Sequence, residues 1–185
     1  MRYPDRNSPH TGKLISEYLE RKVEMPLTAA SLLLVANLWE MRDAIEKELA
    51  AGTTILMDRY LWSHMAYSAA RGMDQTVSAM IGKGLPLPDL TIFLDADPET
   101  VSQRGGYGLE RFEKIDFQRQ VSSVMCTLAQ TWPECITRTM GNIETTENVE
   151  SMKIAKIGKS VKVVKIDAHQ DIETIAAEIL GHLTI

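Results

Sequence analysis

Three short runs rich in β-branched residues constrain what this chain can fold into. They lie at 53–57, 90–94 and 161–166, and each ends on an aspartate: Asp58, Asp95 and Asp167. A helical pattern follows each of them, over 62–71, from Pro98 onward behind an Asp97 cap, and over 171–183. The runs at 53–57 and 90–94 read as buried strands, and 161–166 as a third strand. Strands alternating with helices predict an α/β protein built on a parallel sheet. Ligands of such sheets sit at the carboxyl ends of the strands, where the chain turns into the next helix. Asp58, Arg59 and Asp95 are therefore placed near the expected site by topology alone.

The remaining segments fit that frame. Residues 11–21 put Leu14, Ile15, Tyr18 and Leu19 on one helical face. A long Ala- and Leu-rich helix is expected over 27–50, closed by Gly52. Residues 82–88 hold two glycines and two prolines and read as loop, and 114–131 read as helix. No repeat or linker divides the chain, so one domain is expected over 1–185. The stretch 133–160 is polar, without a period, and longer than an ordinary connection. It reads as an atypical insertion: a surface loop, a short extra helix near 149–157, or an artefact of gene prediction.

Composition removes several function classes. The chain is 44% hydrophobic, enough for a core, and its 20 basic and 25 acidic side chains give a formal charge of −5. An acidic protein is a poor sequence-blind binder of nucleic acid, which needs clustered Lys and Arg. No run of 18 apolar residues is present, so no membrane span is expected, and the start lacks the pattern of a signal peptide. Cys126 and Cys135 are too few for a disulfide scaffold, and His10, His64, His169 and His182 lack zinc spacing. A soluble protein of a reducing compartment is expected, in the cytoplasm or the nucleus.

Four motifs carry chemistry. Asp58-Arg59-Tyr60 delivers an acid and then a planar cation to the top edge of a sheet, a pairing suited to a metal-bound phosphate; an Asp capping the next helix with Arg59 beside it explains the same residues. Arg6, in Tyr3-Pro4-Asp5-Arg6, is either a solvated cation or the second half of an anion clamp with Arg59. Between Arg104 and Arg111 lie Gly105, Gly106 and Gly108, so 104–113 reads as a mobile basic flap able to close over phosphates. Gly158-Lys159-Ser160 copies the end of a phosphate-cradling loop, but Lys153 stands where its first glycine belongs, and it precedes a strand instead of following one.

Together, YPDRNSPHTGKLI, LLLVANLWE, DRY followed by WSHMAYSAARG, GLPLPDLTIFLD and RGGYGLERFE resemble the thymidylate kinases among the P-loop nucleoside-monophosphate kinases, in order and roughly in spacing over 3–120. The resemblance implies transfer of the γ-phosphoryl group of ATP, with Mg²⁺, to dTMP, giving dTDP for dTTP biosynthesis. It implies a three-layer P-loop kinase fold, a parallel sheet with helices on both faces, and a homodimer. Arg6 and Arg59 match the arginines that hold the dTMP phosphate, with Asp5 at the acidic position beside them. Asp58 matches the acid beside magnesium and the transferring phosphoryl group. Ser63 and Tyr67 fall where the family contacts base and sugar, the tyrosine also discouraging a 2′-hydroxyl. Arg104 and Arg111 fall in the lid, with catalytic roles, and Phe112 at an aromatic position flanking the nucleotide.

Two pocket positions depart from the pattern. Leu34 stands where an aromatic usually stacks on thymine, and Leu38 where an arginine reads its carbonyl. Leu38 cannot donate a hydrogen bond, so base selectivity is expected to relax towards methyl contact alone. His64 replaces a frequent glycine and either narrows the pocket or supplies a donor. The family's first strand, phosphate loop and first helix have no counterpart in this chain. The alternative function is therefore a non-catalytic, nucleotide-binding or dimerising truncated form, with 27–50 as a dimer face. On this reading the 185-residue chain alone is expected to lack dTMP phosphorylation and to aggregate through the unpaired edges of 53–57 and 90–94.

Overall fold

The computed structural model describes residues 1–103, 105–141 and 162–183, with side chains described only to 130 in the second stretch. Its elements are α1 (Gly12–Leu19), α2 (Leu27–Ala50), α3 (Leu61–Ala70), α4 (Gln75–Ile81), β1 (Leu90–Asp95), α5 (Pro98–Ser102), α6 (Ile115–Gly141), β2 (Lys162–Asp167) and α7 (Ile172–His182). The chain divides into two compact units. The first takes Met1–Pro86 with Asp97–Leu128, and the second Leu87–Ala96 with Ala129–Ile185.

The first unit is helical, and its core follows helical periodicity. Helix α1 buries Ile15, Tyr18 and Leu19, spaced three and four apart, as the sequence pattern requires. Helix α2 buries Ala30, Leu34, Leu38 and Ile45 along one stripe, with Ser31, Val35 and Asn37 beside it. Ala51 caps it, and Gly52 then turns the chain at φ 82°, a conformation that costs glycine little. Helix α3 is buried nearly all round, from Leu61 through Ala66 and again at Ser68, which marks it as the central helix of the unit. Gly82 permits a close approach there: a Cβ on it would stand 2.5 Å from Leu61 Cδ1. Helix α4 was not expected from the sequence; Asp74 caps it by accepting the Thr76 N–H at 2.6 Å.

The second unit carries the sheet. Strands β1 and β2 are parallel, in register from Leu90↔Lys162 to Asp95↔Asp167, so both expected aspartates end side by side. Lys165 Nζ meets Asp95 at 2.6 Å. Phe93 and Ile166 are buried, while Leu94 is exposed. Helix α7 starts at Asp171, whose carboxylate accepts from the Thr174 N–H at 2.8 Å and hydroxyl at 2.7 Å.

Two expectations need correction. Residues 53–57 do not form a buried strand. The segment makes a single parallel bridge, Arg2↔Asp58, and Leu56 is 77% exposed. Apolar content predicts a buried strand only where neighbours cover it, and the only sheet among the described residues is β1–β2. The helix expected over 114–131 continues to Gly141, so the start of the presumed insertion is helical. The rest of 133–160, with Gly158-Lys159-Ser160, lies outside the described residues, as does Arg104.

Candidate functional site

The site is built where the chain's first residues lie along 56–58. The Met1 amino group donates to the Leu56 carbonyl at 2.8 Å, the Asp58 N–H to Met1 at 2.9 Å, and the Tyr3 N–H to Asp58 at 2.9 Å. This pairing fixes Asp58 and, one residue on, Arg59. Arg59 adopts φ 64°, a left-handed conformation uncommon for a side chain of this size. Its guanidinium lies 5.4 Å above the Tyr67 ring, a cation–π contact. Backbone strain of this kind concentrates at ligand sites.

Arg6 is set by a separate polar cluster. The side chain of Asn37, wholly buried on α2, accepts from the Asp5 N–H at 2.8 Å and donates to the Asp5 carbonyl at 2.9 Å and to Thr11 Oγ1 at 2.8 Å. Ser8 donates to Glu40, tying the same loop to α2. Gly12 completes the arrangement, because a Cβ there would stand 2.5 Å from the Arg6 carbonyl oxygen. The loop therefore presents Arg6, which meets Glu110 at 2.6 Å.

Arg6 and Arg59 line one cavity of about 220 Å³, together with Leu34, Ser63, Tyr67 and Phe112. Its wall is an aromatic row. Tyr67 and Phe112 meet edge to face at 5.8 Å, and Phe112 and Phe117 stack at 5.5 Å. Gln118 braces the row, donating to the Phe112 carbonyl at 2.7 Å and to the Tyr67 hydroxyl at 3.3 Å.

The base of the cavity is polar and buried. Tyr3, His64 and Ser68 line it. The His64 Nδ1 bonds with the Tyr3 hydroxyl at 3.3 Å, and Nε2 with the Ser31 and Ser68 hydroxyls at 3.3 Å. All four residues are buried. Burial, helped by the positive charge of Arg71, pushes the His64 pKa down to about 4, so the imidazole is neutral at pH 7. Both ring nitrogens are already engaged, which makes His64 a wall rather than a free donor.

The other expected site residues stand apart from this cavity. Leu38 lies one turn beyond Leu34, is wholly buried, and belongs to the core. Asp5 acts through its backbone, and its carboxylate accepts from the Asn7 N–H at 3.0 Å. Asp58 pairs with Arg2 at 3.2 Å in an exposed contact. Arg111 donates to the carbonyls of Tyr18 at 2.7 Å and Val23 at 2.9 Å and to both oxygens of Glu24 at 2.8 Å, while lying 4.2 Å over the Tyr18 ring. It staples 105–113 to the end of α1, so in this conformation the segment is docked instead of free. Arg71, Gln118 and Tyr107 line the cavity and were missed. Arg71 resembles an ordinary cation at a helix end, and only its position over Phe112 reveals it.

A larger groove of about 990 Å³ shares Arg2, Pro4 and Arg6 with the cavity, but Asp5, Glu40, Asp43 and Glu110 also line it. Four carboxylates repel an anionic ligand, so the smaller cavity is the better anion site. Among the described residues no group of three His, Cys, Asp or Glu could hold a metal, and no helix is long and apolar enough to cross a membrane.

One unit carries a parallel strand pair, and the other a small cavity with guanidinium groups along an aromatic wall. The thymidylate kinase family model matches residues 1–152, and the chain belongs to that family. It is 43% identical over 124 residues to a thymidylate kinase of Dictyostelium discoideum, covering 67% of this chain and 55% of that protein. A thymidylate kinase of Arabidopsis thaliana is 41% identical over 127 residues, covering 69% and 48%. A solved structure of thymidylate kinase from Candida albicans, described as revealing the origin of broad substrate specificity, superposes with TM-score 0.72 at 28% identity, covering 98% of this chain and 77% of that one. The chain thus has the P-loop kinase fold class, and it spans about half the length of the curated relatives it matches.

Proposed function

We propose that this chain supplies the nucleoside-monophosphate half of a thymidylate kinase site, in a protein that transfers the γ-phosphoryl group of ATP to dTMP. The observation that carries the proposal is the convergence of Arg6 and Arg59 on one aromatic-walled cavity. Two guanidiniums facing one space suit a phosphate dianion, which accepts planar pairs of N–H bonds. Leu34, Tyr67 and Phe112 offer the base apolar and edge contacts. At about 220 Å³ the cavity is smaller than the roughly 300–1,000 Å³ of most drug-sized pockets, which fits a mononucleotide better than a dinucleotide.

The catalysis left to these residues is positioning and charge stabilisation. Arg59, clamped over Tyr67, would hold the acceptor phosphate oxygen in line for attack, and Arg6 would share its charge. Mg²⁺ needs only one or two carboxylates when substrate phosphates supply its other ligands, and the exposed carboxylate of Asp58 fits that limited role. Asp58 would help to hold the metal, which would supply charge neutralisation to the substrate phosphates. We assign Arg111 to anchoring the 105–113 segment. No residue of this chain is assigned to the polyphosphate of ATP. The homodimer implied by the resemblance would draw on α2, where Leu32 and Leu49 are exposed.

The test is dTMP-dependent ADP formation by the full-length protein with ATP and magnesium. Arg59→Ala should lower kcat/KM for dTMP by about 100-fold or more. Absence of dTMP-dependent turnover, or an Arg59→Ala variant at parental rate, would overturn the proposal.

A further inference from the structure

Four arginines line the small cavity, and they fall into two classes. Arg2 is paired with Asp58 at 3.2 Å and Arg6 with Glu110 at 2.6 Å. Arg59 and Arg71 have no carboxylate within 4.0 Å among the described residues. The one carboxylate lining the cavity, Glu113, is taken by the Gly108 and Glu110 N–H groups at 3.0 and 2.9 Å. Arg71 is half-buried, and burial pushes its pKa below the ordinary value. Its guanidinium is held 5.2 Å over the Phe112 ring, and one Nη donates to the Leu27 carbonyl at 3.3 Å. A half-buried guanidinium without a carboxylate contact keeps N–H donors available to a ligand acceptor.

The two unpaired cations stand over successive rings of one row. Arg59 lies over Tyr67, Arg71 lies over Phe112, and the two rings meet at 5.8 Å. A mononucleotide laid along that row would meet Arg59 with its phosphate and Arg71 with the edge of its base. Arg71 offers only N–H donors. Thymine and uracil present a carbonyl oxygen at position 4, where cytosine presents an amino group. Donor facing acceptor is rewarded, and donor facing donor is penalised. No other group takes this role from the sequence reading: Leu38 is in the core, and both nitrogens of His64 are engaged.

We infer that Arg71 selects the base in this cavity, donating to a ring carbonyl of an oxo-pyrimidine nucleotide and rejecting an amino group at that position. The inference rests on the mononucleotide reading above and deepens it. It also limits the loss of selectivity expected from Leu38, because Arg71 distinguishes oxo from amino bases and leaves thymine against uracil to methyl contact.

The experiment compares equilibrium binding of dTMP and 5-methyl-dCMP, which differ in the 4-oxo or 4-amino group and the N3 proton that goes with it, to the full-length protein, Arg59→Ala, Arg71→Met and Arg71→Lys. Methionine keeps an apolar stem over Phe112. The parent should favour dTMP, and Arg71→Met should weaken dTMP by roughly 10- to 100-fold while 5-methyl-dCMP changes little. If Arg71→Met fails to fold, Arg71→Lys, which keeps the charge and loses the planar fork, should still narrow the ratio several-fold. An unchanged ratio in the folded variant overturns the inference. Equal weakening of both nucleotides overturns it too, by placing Arg71 on the phosphate. In either case dTMP binding that still depends on Arg59 leaves the mononucleotide reading standing; a parent that binds neither nucleotide removes both.

Discussion

Asn37 holds both main-chain groups of Asp5, accepting its N–H at 2.8 Å and donating to its carbonyl at 2.9 Å. One buried amide thereby fixes the backbone immediately before Arg6 and reaches Thr11 as well. Asn37→Ala removes three hydrogen bonds and leaves polar groups without partners, at about 1–3 kcal/mol for each one buried. We expect a loss of about 3 kcal/mol in urea denaturation, together with weaker dTMP binding as Arg6 loses its place. A variant of parental stability and affinity would show that the loop holds its shape without Asn37.

Gly12 gives the same loop a second, steric control. A methyl group there would stand 2.5 Å from the Arg6 carbonyl oxygen and 2.7 Å from its carbon. Both are backbone atoms, so the loop has to move. Gly12→Ala should lower dTMP affinity at least tenfold and reduce Tm, even though alanine is the better helix former. A rise in Tm with affinity intact would contradict the close approach.

Arg59 trades conformational strain against function. Its φ of 64° favours glycine, and relief of that strain is worth about 1 kcal/mol. Loss of the contact over Tyr67 costs a similar ~0.5–1 kcal/mol. Arg59→Gly should therefore keep Tm within about 4 °C of the parent while losing dTMP binding. Global unfolding of Arg59→Gly would show that Arg59 is structural.

His64 makes the base of the cavity sensitive to acid. Its folded pKa is depressed from 6.5 to about 4, so the unfolded chain binds the proton first. The stability contributed by neutral His64 is present above pH 6.5 and is lost as pH falls towards 4, about 3 kcal/mol in all. Urea denaturation of the parent and His64→Gln at pH 7, 5.5 and 4.5 checks this. The parent should lose its advantage over the variant as pH falls, and a constant difference would mean that His64 is already solvated.

Residues 11–21 were legible as helix by one apolar face and 27–50 by an Ala- and Leu-rich run closed at Gly52, whereas α4, with seven residues, is too short to show a period. The error at 53–57 is of another kind. The run is apolar enough for a sheet interior, but burial is a property of its neighbours, and Leu56 remains 77% exposed. At the site, Arg59 was placed by the motif that follows 53–57 and Tyr67 by the family resemblance, and both line the cavity. Leu34 and Leu38 share a helical face, and periodicity says nothing about which of two successive turns borders a cavity. Arg71 and Asn37 gave no local signal; contacts with Phe112 and with the Asp5 backbone, remote in sequence, define their roles.

Arg6 and Arg59 are proposed to bind the phosphate of a nucleoside monophosphate. Titration calorimetry of the full-length protein with dTMP and with thymidine tests this most directly, because the ligands differ only by that phosphate. The account predicts saturable dTMP binding at least 100-fold tighter than thymidine binding, with the difference abolished in Arg59→Ala. Equal affinity for the two ligands, or a phosphate preference that survives Arg59→Ala, would contradict it.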